Sequence, residues 1–377
     1  MRIVLFTHSL VSCWNHGNAH FLRGVVRDLR TRGHDVRVLE PRDGWSRQNL
    51  RADGGEAAEA AFHDAFPSLT SHAYDPAALD LDRTLDGVDA VIVHEWTDPA
   101  LVAGIGRVRA GGGRFALLFH DTHHRMVSKP EEMAGLDLSA YDGVLAFGAV
   151  LRDRYAAAGW GRRAWTWHEA ADTALFHPLP GIDPGGELVW IGNWGDDERT
   201  AELHEFLLEP VRRLRLKALI HGVRYPNHAL RALAEAGIRY GGWLPNHKAP
   251  EVFARHRVTV HVPRRPYVEA LPGIPTIRVF EALACGVPLV SAPWEDAEGL
   301  FRPGTDFLIA DDGAAMERHL RDVLNDRALA ADLARYGRET VLARHTCAHR
   351  AEELLSILAE LGATGTADAF ATGETAR

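Results

Sequence analysis

Pro272-Gly-Ile-Pro-Thr-Ile-Arg-Val-Phe-Glu-Ala-Leu-Ala-Cys-Gly-Val-Pro288 decides how the rest of this chain is read. A glycine/proline loop opens a short helix carrying Arg278 and Glu281, and Gly286-Val287-Pro288 stops it before the apolar strand Leu289–Ala292. Pro275 suits the first helical turn, where its missing N–H is no loss. Gly286 and Pro288 are the expected stop. A helix entered from a glycine loop offers unpaired N–H groups and the positive end of its dipole to an anion. Gly273, Thr276 and Ile277 lie at that end. Glu281, about one and a half turns in, is placed to accept hydrogen bonds from ribose hydroxyls. The stretch predicts a pocket for a nucleoside diphosphate, with Arg278 either on the diphosphate or paired with Glu281.

Outward from it, apolar runs alternate with amphipathic segments along the whole chain, the pattern of α/β layers on parallel sheets. In the first half the predicted strands are Ile3–Phe6, Asp35–Leu39, Asp89–Val93, Arg114–Phe119 and Gly143–Phe147, with a helix over Ala19–Arg32. Asp53–Asp82 is weakly patterned and reads as a surface helix with loops. In the second half they are Leu188–Ile191, Lys217–His221, Ile238–Tyr240, Val258–Val262, Leu289–Ser291 and Phe307–Ile309. Helices are expected over Arg199–Leu214, His228–Glu235, Ala249–Arg255, Thr276–Cys285 and Ala314–Asn325, and over Ala328–Leu361 with a break near His345-Thr346. Pro178–Gly186 has the composition of a linker. The predicted organisation is one α/β domain over 1–178, a second over 187–345, a helix over 346–361 and a disordered tail over 362–377.

Composition narrows the function. With 377 residues, 46% apolar and 25% charged, the chain is long enough for two globular cores. The formal charge of −9, from 42 basic against 51 acidic residues, disfavours a nucleic-acid partner. The N-terminus begins directly with a strand and no apolar stretch reaches ~18 residues, so neither a signal peptide nor a membrane span is expected. Cys13, Cys285 and Cys347 are distant and odd in number, which reads as free thiols in a reducing cytoplasm.

Ligands of parallel sheets gather at the carboxyl ends of strands, so the polar loops there supply the candidate residues. Gly192-Asn193-Trp194-Gly195 can bring backbone N–H groups to phosphate, with Arg199 as a cation and Arg264 as its alternate. His221-Gly222 and Trp243-Leu244 close two further strands, and Trp243 reads equally as a core anchor. In the first half, Gly17 permits close backbone approach and Asn18 is a good N-cap, which makes them candidates for acceptor or phosphate contact, or else a plain capped turn. Phe119-His120-Asp121-Thr122-His123-His124 is the chemically richest loop. His120 ends a strand, and His124 is a second contact toward the acceptor. The histidines and Asp121 have metal-ligand chemistry, but their compact spacing assigns no metal. Glu95, after His94, is a candidate general base or a buried structural carboxylate. His168 and Glu169 precede Asp172.

Three of these segments resemble the GT-B glycosyltransferases, in particular the retaining group-1 (family 4) type and its CgeB-like spore-maturation branch. Ile277–Ser291 is similar to that family's Glu-Ala-x-Ala-x-Gly-x-Pro-hydrophobic run. Ala171–Pro178 looks like its Val-Asp-x-x-x-Phe-x-Pro joining stretch, and Leu188–Trp194 with Arg199 looks like the opening of its donor domain. Weak similarity extends over roughly residues 1–360. The resemblance implies two facing Rossmann-like domains with a deep cleft between them. It implies that the first is the acceptor domain and the second the donor domain, and that the helix over 346–361 returns to the first. It implies transfer of a sugar from a nucleoside-diphosphate donor to a hydroxyl or amine, with retention, without an essential metal or other cofactor. It further implies that His120 touches the donor sugar or its phosphate, and that the ends at His221, Gly222, Trp243 and Leu244 frame the base. Typical members carry a second acidic residue where this chain has Gly273, and a glycine where it has Thr276; Glu269 is the nearby candidate to replace the missing acid. Arg278 ahead of Phe280-Glu281 is the form of the CgeB-like members. A sugar-nucleotide epimerase on the same fold, or a non-catalytic nucleotide-binding module, is the alternative.

Overall fold

The protein's structure, a computed structural model, describes residues 1–195 and 197–363 and divides into two compact units. One comprises Met1–Glu169 with the chain from Cys347 on, the other Ala170–Thr346. Most of the expected tail, 364–377, lies outside the described residues.

The first unit is a seven-stranded sheet: β1 (Arg2–Phe6), β2 (Asp35–Pro41), β3 (His72–Tyr74), β4 (Ala90–His94), β5 (Ala116–Asp121), β6 (Gly143–Ala146) and β7 (Ala164–Thr166). The order is β3-β2-β1-β4-β5-β6-β7 and every pairing is parallel. All residues of β4, β5 and β6 are buried, because helices cover both faces, and that is why they read as unbroken apolar runs. The helix Ala19–Thr31 buries Phe21, Leu22, Val25 and Val26. The C-terminal helix Cys347–Glu360 packs along it, with the Cys347 thiol on the Phe21 carbonyl and the Trp167 indole N–H donating to the Arg350 carbonyl. The weakly patterned region holds the helix Trp45–Ala65, interrupted where Gly55 leaves helical dihedrals.

The second unit is a six-stranded parallel sheet ordered β10-β9-β8-β11-β12-β13. Its strands are β8 (Gly186–Ile191), β9 (Ala218–His221), β10 (Arg239–Tyr240), β11 (His256–His261), β12 (Leu289–Ser291) and β13 (Leu308–Ile309). Alternation along β8 sends Leu188 and Trp190 into one core and Val189 and Ile191 into the other. The second core includes Val279, Phe280 and Leu283 of the helix Ile277–Ala284, which ends as expected ahead of Gly286.

The linker-like Pro178–Gly186 does not separate the units. Its composition marks an exposed loop of the second unit, while Ala170, Ala171 and Phe176 are already buried there. The chain leaves the first unit at Glu169 and re-enters it at Cys347, beside a parallel bridge from Ala171 to Thr346. Among the described residues no helix is long and apolar enough to cross a membrane, and the three cysteines form no disulfide.

Candidate functional site

In both sheets the strand order reverses direction beside the first strand, at β1/β4 and at β8/β11. The crevice outside the carboxyl ends at such a point is where ligands of open α/β sheets sit. The predicted residues fall at these two edges.

At the second unit's edge, Gly192 and Asn193 follow β8, and His221 and Gly222 end β9. The two loops are stitched together: Gly192 N–H donates to the His221 carbonyl at 2.8 Å and the Asn193 side chain accepts from Val223 N–H at 2.8 Å. Only glycine fits at 222, where a Cβ would lie 2.1 Å from the Gly192 carbonyl oxygen. Tyr225 and Tyr240 donate their hydroxyls to the Gly192 and Gly222 carbonyls. The His221 ring reaches the Gly242 carbonyl at 3.2 Å. Trp243 and Leu244 are half-buried, and the buried Trp243 indole N–H meets no hydrogen-bond acceptor.

Arg199 is placed differently from the exposed cation expected of it. Its guanidinium donates to the Val262 carbonyl, just past β11, at 2.8 Å and to the Asn193 carbonyl, just past β8, at 2.5 Å. It also lies over the Trp190 ring at 5.0 Å. Burial pulls its pKa down to about 9, and Arg264 adds to the shift. Arg199 therefore ties the two lips of the crevice together. Arg264 pairs with Glu198 at 3.0 Å.

The helix Ile277–Ala284 begins after Thr276, whose side chain makes no cap, while Val279 N–H donates to the Thr276 carbonyl at 3.0 Å. Glu281 is fully buried and forms an ion pair with Arg278 one turn earlier. Of the two partners open to Arg278, this structure shows Glu281. Gly273 explains why a carboxylate is missing from its position. Its φ is +90°, a region that L side chains rarely adopt, and a Cβ there would lie 2.9 Å from Glu298 Cγ and 3.2 Å from its Oε1. The carboxylate beside Gly273 is thus Glu298, twenty-five positions downstream, and sequence reading missed it. Glu269 is exposed at the end of its own short helix. A separate cavity of ≈530 Å³ opens on the opposite, amino edge of this sheet, lined by Lys217, Arg239, Arg255 and His256, and contains none of the predicted residues.

The first unit's edge is a row of imidazoles. His8 follows β1, His94 ends β4 and His120 lies beside it in β5, with His16 from the loop between. Ring centroids step from His8 to His16 at 5.1 Å, to His94 at 6.1 Å and to His120 at 5.4 Å. Burial holds all four neutral, lowering His8 to about 4 and His120 to about 3, with His16 and His94 well below their usual value. His120 is edge-on to Trp167 at 4.7 Å and its buried Nε2 has no hydrogen-bond partner. Among the described residues no group of three or more His, Cys, Asp or Glu side chains is arranged to hold a metal ion.

Of the two readings of Glu95, its contacts at this edge support the buried structural carboxylate. One oxygen accepts from the Thr122 N–H and hydroxyl at 2.9 and 3.0 Å, the other from Arg125 Nε and Nη2 at 3.0 and 2.9 Å. Four donors fill a carboxylate's acceptor capacity, so Glu95 locks the loop and is no general base. Its neighbour Asp121, buried and beside Glu95, is pushed well up from the carboxylate range and meets the Tyr155 hydroxyl at 2.8 Å. His124 is buried, on the Ser128 hydroxyl at 2.8 Å. Asn18 stands at the start of its helix, but its amide donates to Glu169 at 2.7 Å instead of capping. Gly17 is half-buried and its carbonyl meets the His20 ring at 3.2 Å.

A family model described as glycosyl transferase-like matches residues 199–356. Solved structures match nearly the whole chain. Sucrose-phosphate synthase of Thermosynechococcus elongatus superposes with a TM-score of 0.66 at 14% identity, covering 96% of this chain and 99% of that one. HepE of Anabaena, in complex with UDP and glucose, gives 0.67 at 14% identity over 96% and 100%. An α-glucosyltransferase in complex with UDP and DNA gives 0.63 at 12% identity over 95% and 99%. These likenesses establish the fold as the GT-B type. No curated protein matches the sequence.

Proposed function

We propose that this protein transfers a glycosyl group from a nucleoside-diphosphate sugar to a hydroxyl or amine of an acceptor. The observation that carries this reading is the helix Ile277–Ala284, with its uncapped N-terminus and buried Glu281–Arg278 pair, inside the stretch matched by the glycosyl transferase-like model. HepE, of like fold, was crystallised with UDP-glucose, which supports a nucleotide sugar as donor.

In this reading Glu281 accepts the ribose hydroxyls, and Arg278 swings from Glu281 toward the diphosphate. The helix N-terminus and the Gly192-Asn193 loop meet the charge that grows on the leaving group. The edges at His221, Gly222, Trp243 and Leu244 frame the base. His120, neutral at working pH, donates or accepts one hydrogen bond at the sugar. Gly17, Asn18 and His124 border the acceptor. Retention follows if the acceptor oxygen attacks from the departing phosphate's side. The C–O bond to the acceptor forms as the C–O bond to phosphate breaks, and the acceptor's proton passes to the leaving phosphate oxygen. No step needs a metal. We place the enzyme in the CgeB-like branch and in the cytoplasm, where thiols stay reduced.

The test is to incubate the protein with UDP-, GDP-, ADP- and dTDP-sugars, with and without saccharide acceptors, and to follow nucleoside diphosphate and sugar products. Diphosphate release that requires an acceptor supports the reading. An isomerised sugar nucleotide, or no turnover with any donor, overturns it.

A further inference from the structure

Two of the five large hydrophobic side chains left exposed among the described residues are tryptophans, Trp45 and Trp96, each 45% exposed. They come from different segments, yet both indoles face one imidazole: the His8 ring lies 6.4 Å from Trp45 and 6.3 Å from Trp96. His8 and Trp96 follow β1 and β4, the reversal where the sheet topology opens a crevice, and Trp45 reaches His8 from the start of the helix after β2. We propose that Trp45, Trp96 and His8 form a binding platform for a neutral saccharide ring, the acceptor in the function proposed above.

The chemistry of the patch selects that occupant. An indole face carries negative quadrupole density, which attracts the weakly positive C–H bonds on one face of a pyranose. Leaving two such rings in water is unfavourable unless a ligand covers them. Among the described residues the half-buried His8 ring makes no hydrogen bond, so its nitrogens offer one donor and one acceptor to hydroxyls. Of the charges beside the rings, Arg125, Glu40, Arg47 and Asp53 are paired or hydrogen-bonded within the protein. Arg125 lies over the Trp96 ring at 4.0 Å but is bound to Glu95. Glu40 accepts from the Ser9 hydroxyl and Leu10 N–H at 2.7 Å each, and Arg47 approaches it at 3.4 Å. Asp53 accepts from the Trp14 indole, itself 5.0 Å from Trp45. The platform itself is made of neutral rings, which give C–H faces and hydroxyls both kinds of partner, and the exposed Arg42 and Asp43 just before Trp45 carry opposite charges.

The platform is supported by its own construction. Trp96 is clamped between Arg125 and the His123 ring at 5.5 Å. Trp45 opens its helix directly before Ser46, which is buried and bonded to the Ser12 hydroxyl at 2.8 Å and to the Trp14 carbonyl at 2.7 Å. Rigid rings lose little entropy when a sugar stacks on them.

The inference rests on the transferase reading only for the word acceptor, so its test is separate from donor binding. Saturation-transfer NMR and tryptophan fluorescence would be recorded with methyl glucopyranoside, methyl galactopyranoside, N-acetylglucosamine, maltose and cellobiose, and with naphthol as a planar aromatic control. At least one saccharide should bind the wild-type protein. Trp45→Ala/Trp96→Ala should weaken it by about tenfold or more, Trp45→Phe/Trp96→Phe should restore part of it, and any nucleotide-induced rise in Tm should persist in both. Saccharide binding unchanged by the alanine pair, or binding of naphthol with none of the saccharides, overturns the proposal. Loss of nucleotide binding in the wild-type protein would instead overturn the donor reading and leave this result standing.

Discussion

At the carboxyl edge of the first sheet, β1, β4 and β5 run out into His8, His94 and His120, with Trp45 and Trp96 beside them. At the same edge of the second sheet, β8 and β9 run out into Gly192 and Gly222, and β11 into Val262-Pro263-Arg264. Both frames are parallel and both reverse strand order beside their first strand. Only the residues past the strand ends differ. Large neutral rings present side-chain surface to a ligand. Glycines let the two loops approach each other closely, with Gly192 N–H on the His221 carbonyl and Gly222 N–H on the Gly242 carbonyl. One topology thus carries two different sets of edge residues, and in the function proposed above the loops decide which ligand chemistry each edge serves.

The contrast breaks most visibly at Glu281. Glu281→Gln keeps the shape but removes the charge that meets Arg278 and that, in the function proposed above, meets ribose. We expect nucleotide affinity to fall about 100-fold, the size of losing a charge-assisted pair of hydrogen bonds, while saccharide binding at the tryptophans is unchanged. Calorimetry with the preferred nucleotide measures it. An unaltered affinity would remove Glu281 from the site.

Gly273 sharpens the comparison at the backbone. Gly273→Asp would install the customary acid, yet at φ +90° and against Glu298 it should destabilise the second unit by about 2 kcal/mol and raise no activity. Adding Glu298→Ala should recover the steric part alone. Urea unfolding followed alongside turnover would show whether strain or chemistry governs the position. A stable, more active Gly273→Asp contradicts this account.

Acid sharpens it from the other side. In the unfolded chain a histidine titrates near 6.5, but burial holds His8 at about 4 and His120 at about 3. Their neutral forms support the fold fully above about pH 6.5. As pH falls through the window down to 4 and then 3, the unfolded state takes up protons that the folded state refuses, so stability is lost, at up to ~1.4 kcal/mol per pH unit per group. His261 of the second unit, also lowered to about 3, contributes in the same sense. Tm recorded from pH 7.5 to 4 should fall steadily, and His120→Phe should reduce the slope. A flat profile would mean that the row is not held neutral by burial.

Much of this arrangement was legible before the structure. The eleven expected strands all appear, because each is an apolar run bounded by turn residues. β3 and β7 were missed since His-Ala-Tyr and Ala-Trp-Thr are three-residue edge strands with no run to see. The boundary between units was misplaced because Pro178–Gly186 has a linker's composition, and composition does not reveal that Phe176 before it is buried. At the sites, the edge positions were readable from strand ends. What those residues touch was not. The donors on Glu95 come from Thr122 and Arg125, the carboxylate at Gly273 comes from residue 298, and Trp45 reaches His8 from another segment. Each depends on chain distant in sequence, which no local pattern encodes.

The most direct measurement of the central claim is thermal unfolding of the wild-type protein with UDP, GDP, ADP and dTDP, each as the free diphosphate and as a sugar conjugate, repeated on Glu281→Gln. One nucleotide should raise Tm, by RT ln(1 + [L]/Kd) in free energy, and Glu281→Gln should abolish most of the rise. No rise with any nucleotide, or an equal rise in both proteins, would contradict it.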